Sequence, residues 1–494
     1  MKNFKISYKS NITKILVLPI LISLAPYFSS CKKLIEIPAP TTLITSQNVY
    51  STNQTAISVL TGLYANMSDN DMTANGVSGF FIDGGLSADE LTLYNTSSTY
   101  YAPYYYNHLT ADNTSINIVW NPSYTQILTI NSAIEGITAS NSLTLSIKQQ
   151  LLGEAYFMRG FFYFYLVNLY GDVPLVLSSD YKVNADLSRI PQIQVYQQII
   201  SDLTAADGYL NANYLDATLA NAVTQRIRPT KWAAEALLSR VYLYYGNLTG
   251  DAANYNKAIT DASNIISNSL FTLDSLNDVF LANSTETIWS LQPVDNIPGA
   301  NTGEGDIFIL PSTGPNTDQF DPYPVYLNEQ LVNSFEIGDQ RFVNWVDSVS
   351  ANGNTYYYSY KYKQGIGSTS TEENDMVLRL GEQYLILAEA YANTGDLVNA
   401  AKYLNMIRNR AGLPNTTAST QSDMLTAILH ERQVELFTEW GHRWLDLKRT
   451  KTIDAVMSVV CLLKGSTWNT NWQLYPIPTY DLQADANLVQ NPGY

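Results

Sequence analysis

Two stretches of this sequence combine flat aromatic rings with short polar side chains, the residue types that grip a polyhydroxylated ligand. The first, residues 83–113, carries Asp83, Asp89, Glu90, Tyr94 and Asn95 and then reads Tyr100-Tyr101-Ala102-Pro103-Tyr104-Tyr105-Tyr106-Asn107-His108. The second, residues 292–326, carries Asn301, Phe308, Asn316, Asp318, Gln319, Phe320, Asp321, Tyr323 and Tyr326. Rings can lie against the C–H face of a pyranose, while amides and carboxylates bond its hydroxyls. Five Tyr interrupted by Ala-Pro cannot all turn into one core, so some rings must face solvent or ligand. The residues expected to contact ligand are Asp83, Tyr94, Asn95, Tyr101, Tyr104, Tyr105, Tyr106, Asn107, Phe320 and Tyr323. Composition fits this reading, since 36 Tyr outnumber the 28 Lys and Arg combined.

Other chemistries find less support. His108, His430 and His442 are scattered without metal-ligand spacing, and His430-Glu431 lacks the second His of a zincin helix. Neither a Gly-x-Ser-x-Gly elbow nor a phosphate-binding loop is present. Asp83, Asp89 and Glu90 could hold Ca²⁺ with loop carbonyls; no other cofactor or metal is expected. The formal net charge of −16 repels phosphate backbones, so nucleic acid is not an expected partner. A helical glycoside hydrolase would need two carboxylates facing across a cleft, and a purely protein-binding scaffold would need no sugar site at all. Both remain alternatives to a receptor, and the expectation is a non-enzyme.

The elements that must position these residues are mostly helical. At residues 149–169 the apolar positions Leu151, Ala155, Met158, Phe162, Leu166 and Leu169 fall at steps of three and four, one face of a helix stopped by Gly171 and Pro174. Leu237-Leu238, Tyr242 and Gly246 recur as Ile386-Leu387, Tyr391 and Gly395, and each cluster is followed by a second helical stretch. A helix, a Gly-containing turn and a returning helix of about 34 residues is the tetratricopeptide unit, and stacked units bury a continuous face. Residues 70–125 and 283–375, rich in Gly, Asn, Ser, Thr, Pro and Tyr, are too long for simple connections and are expected to be functional loops with short strands. One such strand is expected over Tyr356 to Lys363. The fold class is therefore mostly α, a tetratricopeptide-like scaffold of helical hairpins with long irregular insertions and a few short strands.

The N-terminus reads as an export signal. Lys2, Lys5, Lys9 and Lys14 precede an apolar run of about 14 residues ending at Phe28, shorter than the ~20 a spanning helix needs. Phe28-Ser29-Ser30-Cys31 resembles a bacterial lipobox, which makes Cys31 the expected lipidation site and membrane anchor. Cys461 is the only other cysteine, so a disulfide framework is not expected. The expected organisation is a signal over 1–30, a tether over 31–45 and one domain over 46–494. Helical repeats are expected near 148–175, 230–268 and 377–412, and ligand-binding loops near 80–113 and 290–326.

Several blocks together resemble the SusD/RagB family. They are Trp120-Asn121-Pro122-Ser123-Tyr124, the run Glu154 to Gly160, Leu169-Tyr170-Gly171-Asp172-Val173-Pro174-Leu175, and Leu380-Gly381-Glu382 with Leu387 to Tyr391. Further on come Ile407 to Leu413, Glu431 to Leu436, Gly441 to Arg449, Leu474 to Pro478 and Gln490 to Tyr494. The resemblance covers essentially the whole chain after Cys31. It implies a lipid-anchored protein of the bacterial outer membrane, facing the cell exterior, that captures an oligosaccharide or polysaccharide. It also implies a partner, a SusC-like TonB-dependent transporter that moves the ligand inward. Arg159, Arg443 and Arg449, with Glu435, Glu439 and Asp446, are expected to form ion pairs between helices, and Trp444 to lie in the core.

Overall fold

The computed structural model describes residues 49–68, 79–113, 117–294, 300, 302–317 and 323–494. The expected signal, Cys31 and tether lie outside those residues, as do Asn301, Asp318, Gln319, Phe320 and Asp321. Helices of eight or more residues are α1 (Asn53–Ser68), α2 (Phe80–Ser87), α3 (Asn117–Ala139), α4 (Leu145–Tyr170), α5 (Gln192–Tyr209), α6 (Lys231–Thr249), α7 (Ala252–Ile266), α8 (Leu380–Asn393), α9 (Leu397–Arg410), α10 (Gln421–Leu436), α11 (His442–Arg449) and α12 (Ile453–Leu463). The strands among the described residues are β1 (Leu91–Leu93), β2 (Val173–Pro174), β3 (Arg189–Ile190), β4 (Thr287–Leu291), β5 (Val325–Leu327), β6 (Val346–Ala351), β7 (Asn354–Ser359) and β8 (Asp375–Arg379). They pair only as antiparallel couples, β1–β5, β2–β3, β4–β8 and β6–β7.

Successive helices pack on one another from α3 through α10, so the chain builds a layered stack of helical hairpins. Local chemistry sets the turns: Asp251 accepts from the Ala253 amide at the start of α7, and Asp396 from the Asn399 amide at the start of α9. The hairpin of α4 and α5 carries the small β2–β3 ribbon between its helices. Leu385, Ala388, Leu404, Ile407, Met424 and Ile428 interlock α8, α9 and α10 into one dry cluster. Each fully buried Leu or Ile there contributes about 1.5–3 kcal/mol.

Two sequence expectations need refinement. The single apolar stripe expected of α4 understates its burial, because Phe157, Phe161, Tyr163, Phe164, Tyr165 and Tyr170 lie off that stripe and are also buried. Packed against α1, α3, α5 and α6, the helix has no exposed residue from Gln150 to Tyr170, the arrangement that blurs a one-sided pattern. The matched glycines also do different work. Gly395 sits in the turn at φ +85°, with open space around it, whereas Gly246 lies inside α6, where a Cβ would come within 2.6 Å of the Tyr255 ring. The corresponding turn is made by Gly250, at φ +71°.

A buried ionic lattice ties the irregular insertion to the stack. Glu435 of α10 bonds Arg341 at 3.1 Å and Arg379 at 2.7 Å, and also pairs with Arg410. Burial alone would push its carboxyl up, but Arg410, Arg379 and Arg341 hold it well below the usual carboxylate range. Glu439 takes Arg379 at 2.7 Å together with Lys361. Arg341 and Lys361 flank β6 and β7, so the hairpin is bolted to α10 at its base. Of the expected arginines, Arg159 pairs with Asp202 and Arg449 with Glu389 between helices, while Arg443 takes Asp89, which lies outside a helix. Asp446 pairs with Arg449 inside α11 and with Arg432 of α10, and Glu435 and Glu439 take other partners than the three expected arginines. Trp444 is buried, as expected.

Candidate functional site

Backbone pairing brings the two polar aromatic stretches side by side. β1 runs antiparallel to β5 with Thr92 opposite Tyr326 and Leu93 opposite Val325, and the Tyr94 amide donates to the Pro324 carbonyl at 2.8 Å. The β6–β7 hairpin adds a third piece. Its alternation places Tyr356 and Tyr358 on one face, opposite Val349 and Asp347, and that face packs on Tyr323, Tyr326 and Leu310. The strand expected to reach Lys363 ends at Ser359, because its partner runs out where Trp345 closes the helix before β6 and Lys361 is drawn into the core by Glu439 and the carbonyls of Glu435 and Phe437.

The outcome is a linked patch of phenol rings. Tyr356 stands edge-on to Tyr326 with centroids 5.1 Å apart and to Tyr94 at 6.2 Å. Tyr94 is 41% exposed, and Tyr326 and Tyr356 are half-buried. Asn95 beside them is half-buried, and its carbonyl accepts from the Ser97 amide, which fixes the turn after β1. Burial, with Tyr356 and Tyr94 beside it, pushes the Tyr326 phenol up. The patch therefore presents neutral hydroxyls and flat faces, the combination suited to an uncharged sugar.

Several residues expected at a ligand surface are placed elsewhere. Tyr104 is 1% exposed and packs edge-on to Tyr475 at 5.7 Å; a ring so covered offers no face to a sugar. Asp83 is buried beside it, and burial raises its carboxyl well above the usual range. Tyr105 is buried with the Lys464 ammonium 5.0 Å from its ring centre. Asn107, at φ 55°, donates to the Ser87 carbonyl and accepts from the Cys461 thiol, both inside the protein. Tyr323 is buried in the cluster under the β6–β7 hairpin. Tyr101 and Tyr106 remain half-buried, Tyr101 against Tyr100 at 4.6 Å and Tyr106 against Tyr105 at 5.2 Å. Phe320 lies outside the described residues. Of the expected contacts, Tyr94, Asn95, Tyr101 and Tyr106 are thus reachable, joined by Tyr326 and Tyr356.

The acids expected as a Ca²⁺ set do not form one. Arg443 takes both oxygens of Asp89, at 2.8 and 2.7 Å, while burial and the neighbouring Asp89 push Glu90 up to about 8. Among the described residues no group of three or more His, Cys, Asp or Glu could hold a metal.

Comparison with known proteins matches this architecture. Residues 344–494 match the family model described as the SusD family, and residues 48–243 match one described as starch-binding associating with outer membrane. A SusD-like protein of Formosa agariphila, P2, is 26% identical over 432 residues, 78% of this chain and 81% of that protein. The crystal structure of a SusD superfamily protein from Parabacteroides distasonis superposes with a TM-score of 0.74 at 24% identity, covering 89% of this chain and 98% of that one. A laminarin-binding SusD-like protein superposes with a TM-score of 0.71 at 22% identity, covering 89% of this chain and 99% of that one. With the helical-hairpin stack, the motif blocks from Trp120 to Tyr494 and family models that match residues 48–243 and 344–494, this protein belongs to the SusD family.

Proposed function

We propose that this chain is a non-catalytic receptor that binds a neutral oligosaccharide or polysaccharide on the patch built from Tyr94, Tyr326 and Tyr356, with Tyr101, Tyr106 and Asn95 at its margin. The observation that carries the reading is the exposure of Tyr94 over two perpendicular, half-buried rings on three separately anchored segments. Rigid rings lose little entropy on binding, so a modest patch can hold a flexible glycan. The family description, starch-binding associating with outer membrane, and the laminarin-binding neighbour support a glucan-like ligand. Glu431, Glu435 and Glu439, the one helically spaced run that could pass for an acid/base cluster, are buried in ion pairs, which speaks against catalysis there.

In this reading Cys31 carries the lipid anchor, the protein faces the cell exterior, and a SusC-like TonB-dependent transporter receives the glycan for uptake. Affinity electrophoresis against laminarin, starch, a mannan and a uronic-acid polymer tests the ligand. Retardation by a neutral glucan with no release of reducing ends is the expected result. Retardation by none of the four, from folded protein, would sink the reading. Metabolic labelling with a palmitate analogue tests the anchor, with Cys31→Ala expected to remain unlabelled.

A further inference from the structure

A cavity of about 220 Å³ opens where the C-terminal ends of α4, α6 and α11 converge on the start of α5. Its charge is unusual for a chain with a net charge of −16. Lys448, Arg449 and Lys451 all line it, and no carboxylate does. Arg449 is already neutralised, its fork committed to Glu389 and Asp446. The two lysines are not: among the described residues neither is paired with an acid.

Lys448 is half-buried, and its ammonium donates to the Asn168 carbonyl at the end of α4. That contact explains one of its three donors as a helix C-terminal cap, and leaves two facing a space with no counter-ion. Among the described residues Lys448 has no counter-ion, and burial alone brings its pKa down to about 7. Lys451, exposed on the rim, adds a second positive charge. Gln192, Asn247 and Gln473 contribute neutral amides. A volume of this size corresponds to roughly seven waters at ~30 Å³ each, room for one small anion or one acidic sugar residue but not for a chain.

We propose that this cavity is an oxyanion site, closed by Lys448 and Lys451, for a carboxylate, sulfate or phosphate group that is either free or borne on a sugar. Lysine ammonium groups act as compact point charges that tolerate tetrahedral and planar oxyanions alike. None of the lining residues belongs to the aromatic patch, so the two sites are independent.

Isothermal titration of the purified protein with sulfate, phosphate and glucuronate, at constant ionic strength in chloride, tests this. Saturable binding of at least one is expected. It should weaken about tenfold to a hundredfold in Lys448→Met, the worth of a charged hydrogen bond, and also weaken in Lys451→Ala, whose exposed position spares the fold. Tyr94→Ala should bind the anion as wild type does. Preference for sulfate or phosphate would identify a free inorganic anion, and preference for glucuronate a sugar-borne carboxylate. No saturable binding of any of the three, or affinities unchanged in both lysine variants, would overturn the proposal.

Discussion

Tyr94 and Tyr356 meet edge to face, ring centroids 6.2 Å apart and planes at 81°, although helices α3 to α7 separate the two irregular stretches that carry them. Each is held by its own backbone anchor, Tyr94 by the Pro324 carbonyl and Tyr356 by the β6–β7 ladder. Because Tyr94 is the more exposed, Tyr94→Ala should remove ligand contact with little loss of packing. Loss of about 1–2 kcal/mol of binding is expected, roughly tenfold in affinity, with the far-UV spectrum unchanged. Tyr356→Ala should weaken binding at least as much, since it also frees Tyr94 and Tyr326 from their common neighbour. Affinity gels run with both variants check this; wild-type retardation in both would exclude the patch as the site.

Tyr104→Ala should behave differently from either. Its ring is fully packed against Tyr475 and covers Asp83, so truncation opens a cavity in the core. A cost of about 3–5 kcal/mol is expected, read as a lower urea midpoint. Any loss of glycan binding should follow loss of fold. Substituting Tyr104, Tyr105 and Tyr106 together would therefore confound stability with recognition.

This contrast marks where the sequence stops being informative. The helical stack was readable because turns, caps and periodicity are local: Asp396, Gly395 and the apolar steps of α8 and α9 lie within one hairpin. The aromatic stretches were readable as a composition. Which rings emerge was not, because that depends on partners far away in the chain. Tyr104 is buried by Tyr475, and Tyr94 gains its company only once β1 pairs with β5 and β7 folds over it. Tyr356 could be placed on a strand by alternation alone, but nothing local pointed its face at Tyr326.

The two matched glycines give a prediction that separates packing from backbone geometry. Gly246→Ala pushes a methyl to 2.6 Å from the Tyr255 ring, an overpacking expected to cost about 1–3 kcal/mol. Gly395→Ala meets no atom within 4 Å but must hold φ +85°, costing about 1–2 kcal/mol in an L residue. Tyr255→Leu should rescue the first and not the second, whereas Gly395→Asn should be milder than Gly395→Ala because Asn tolerates that conformation. Thermal melts of the five proteins (Gly246→Ala and Gly395→Ala, each with and without Tyr255→Leu, and Gly395→Asn) decide it, and rescue of neither would show that the two hairpins are not built as described.

Glu435 should set the acid limit of the fold. It is fully buried among Arg341, Arg379 and Arg410, which hold its folded pKa well below its ordinary value of 4.5. A depressed carboxylate stabilises the folded state fully above the unfolded value and progressively less as pH falls toward the folded one. Its share of stability is therefore constant at pH 7 and drains away below about 4.5. Glu435→Gln leaves three guanidinium groups facing a neutral amide and should cost about 3–5 kcal/mol at pH 7. That variant cannot titrate at position 435, so the gap between the two proteins should narrow as pH drops from 5 to 3. Urea midpoints at pH 7, 5 and 3 measure the gap directly. A gap that stays constant across this range would mean that folding leaves the Glu435 pKa at its unfolded value, with Arg379 and Arg410 held by Glu439 and Glu286 instead.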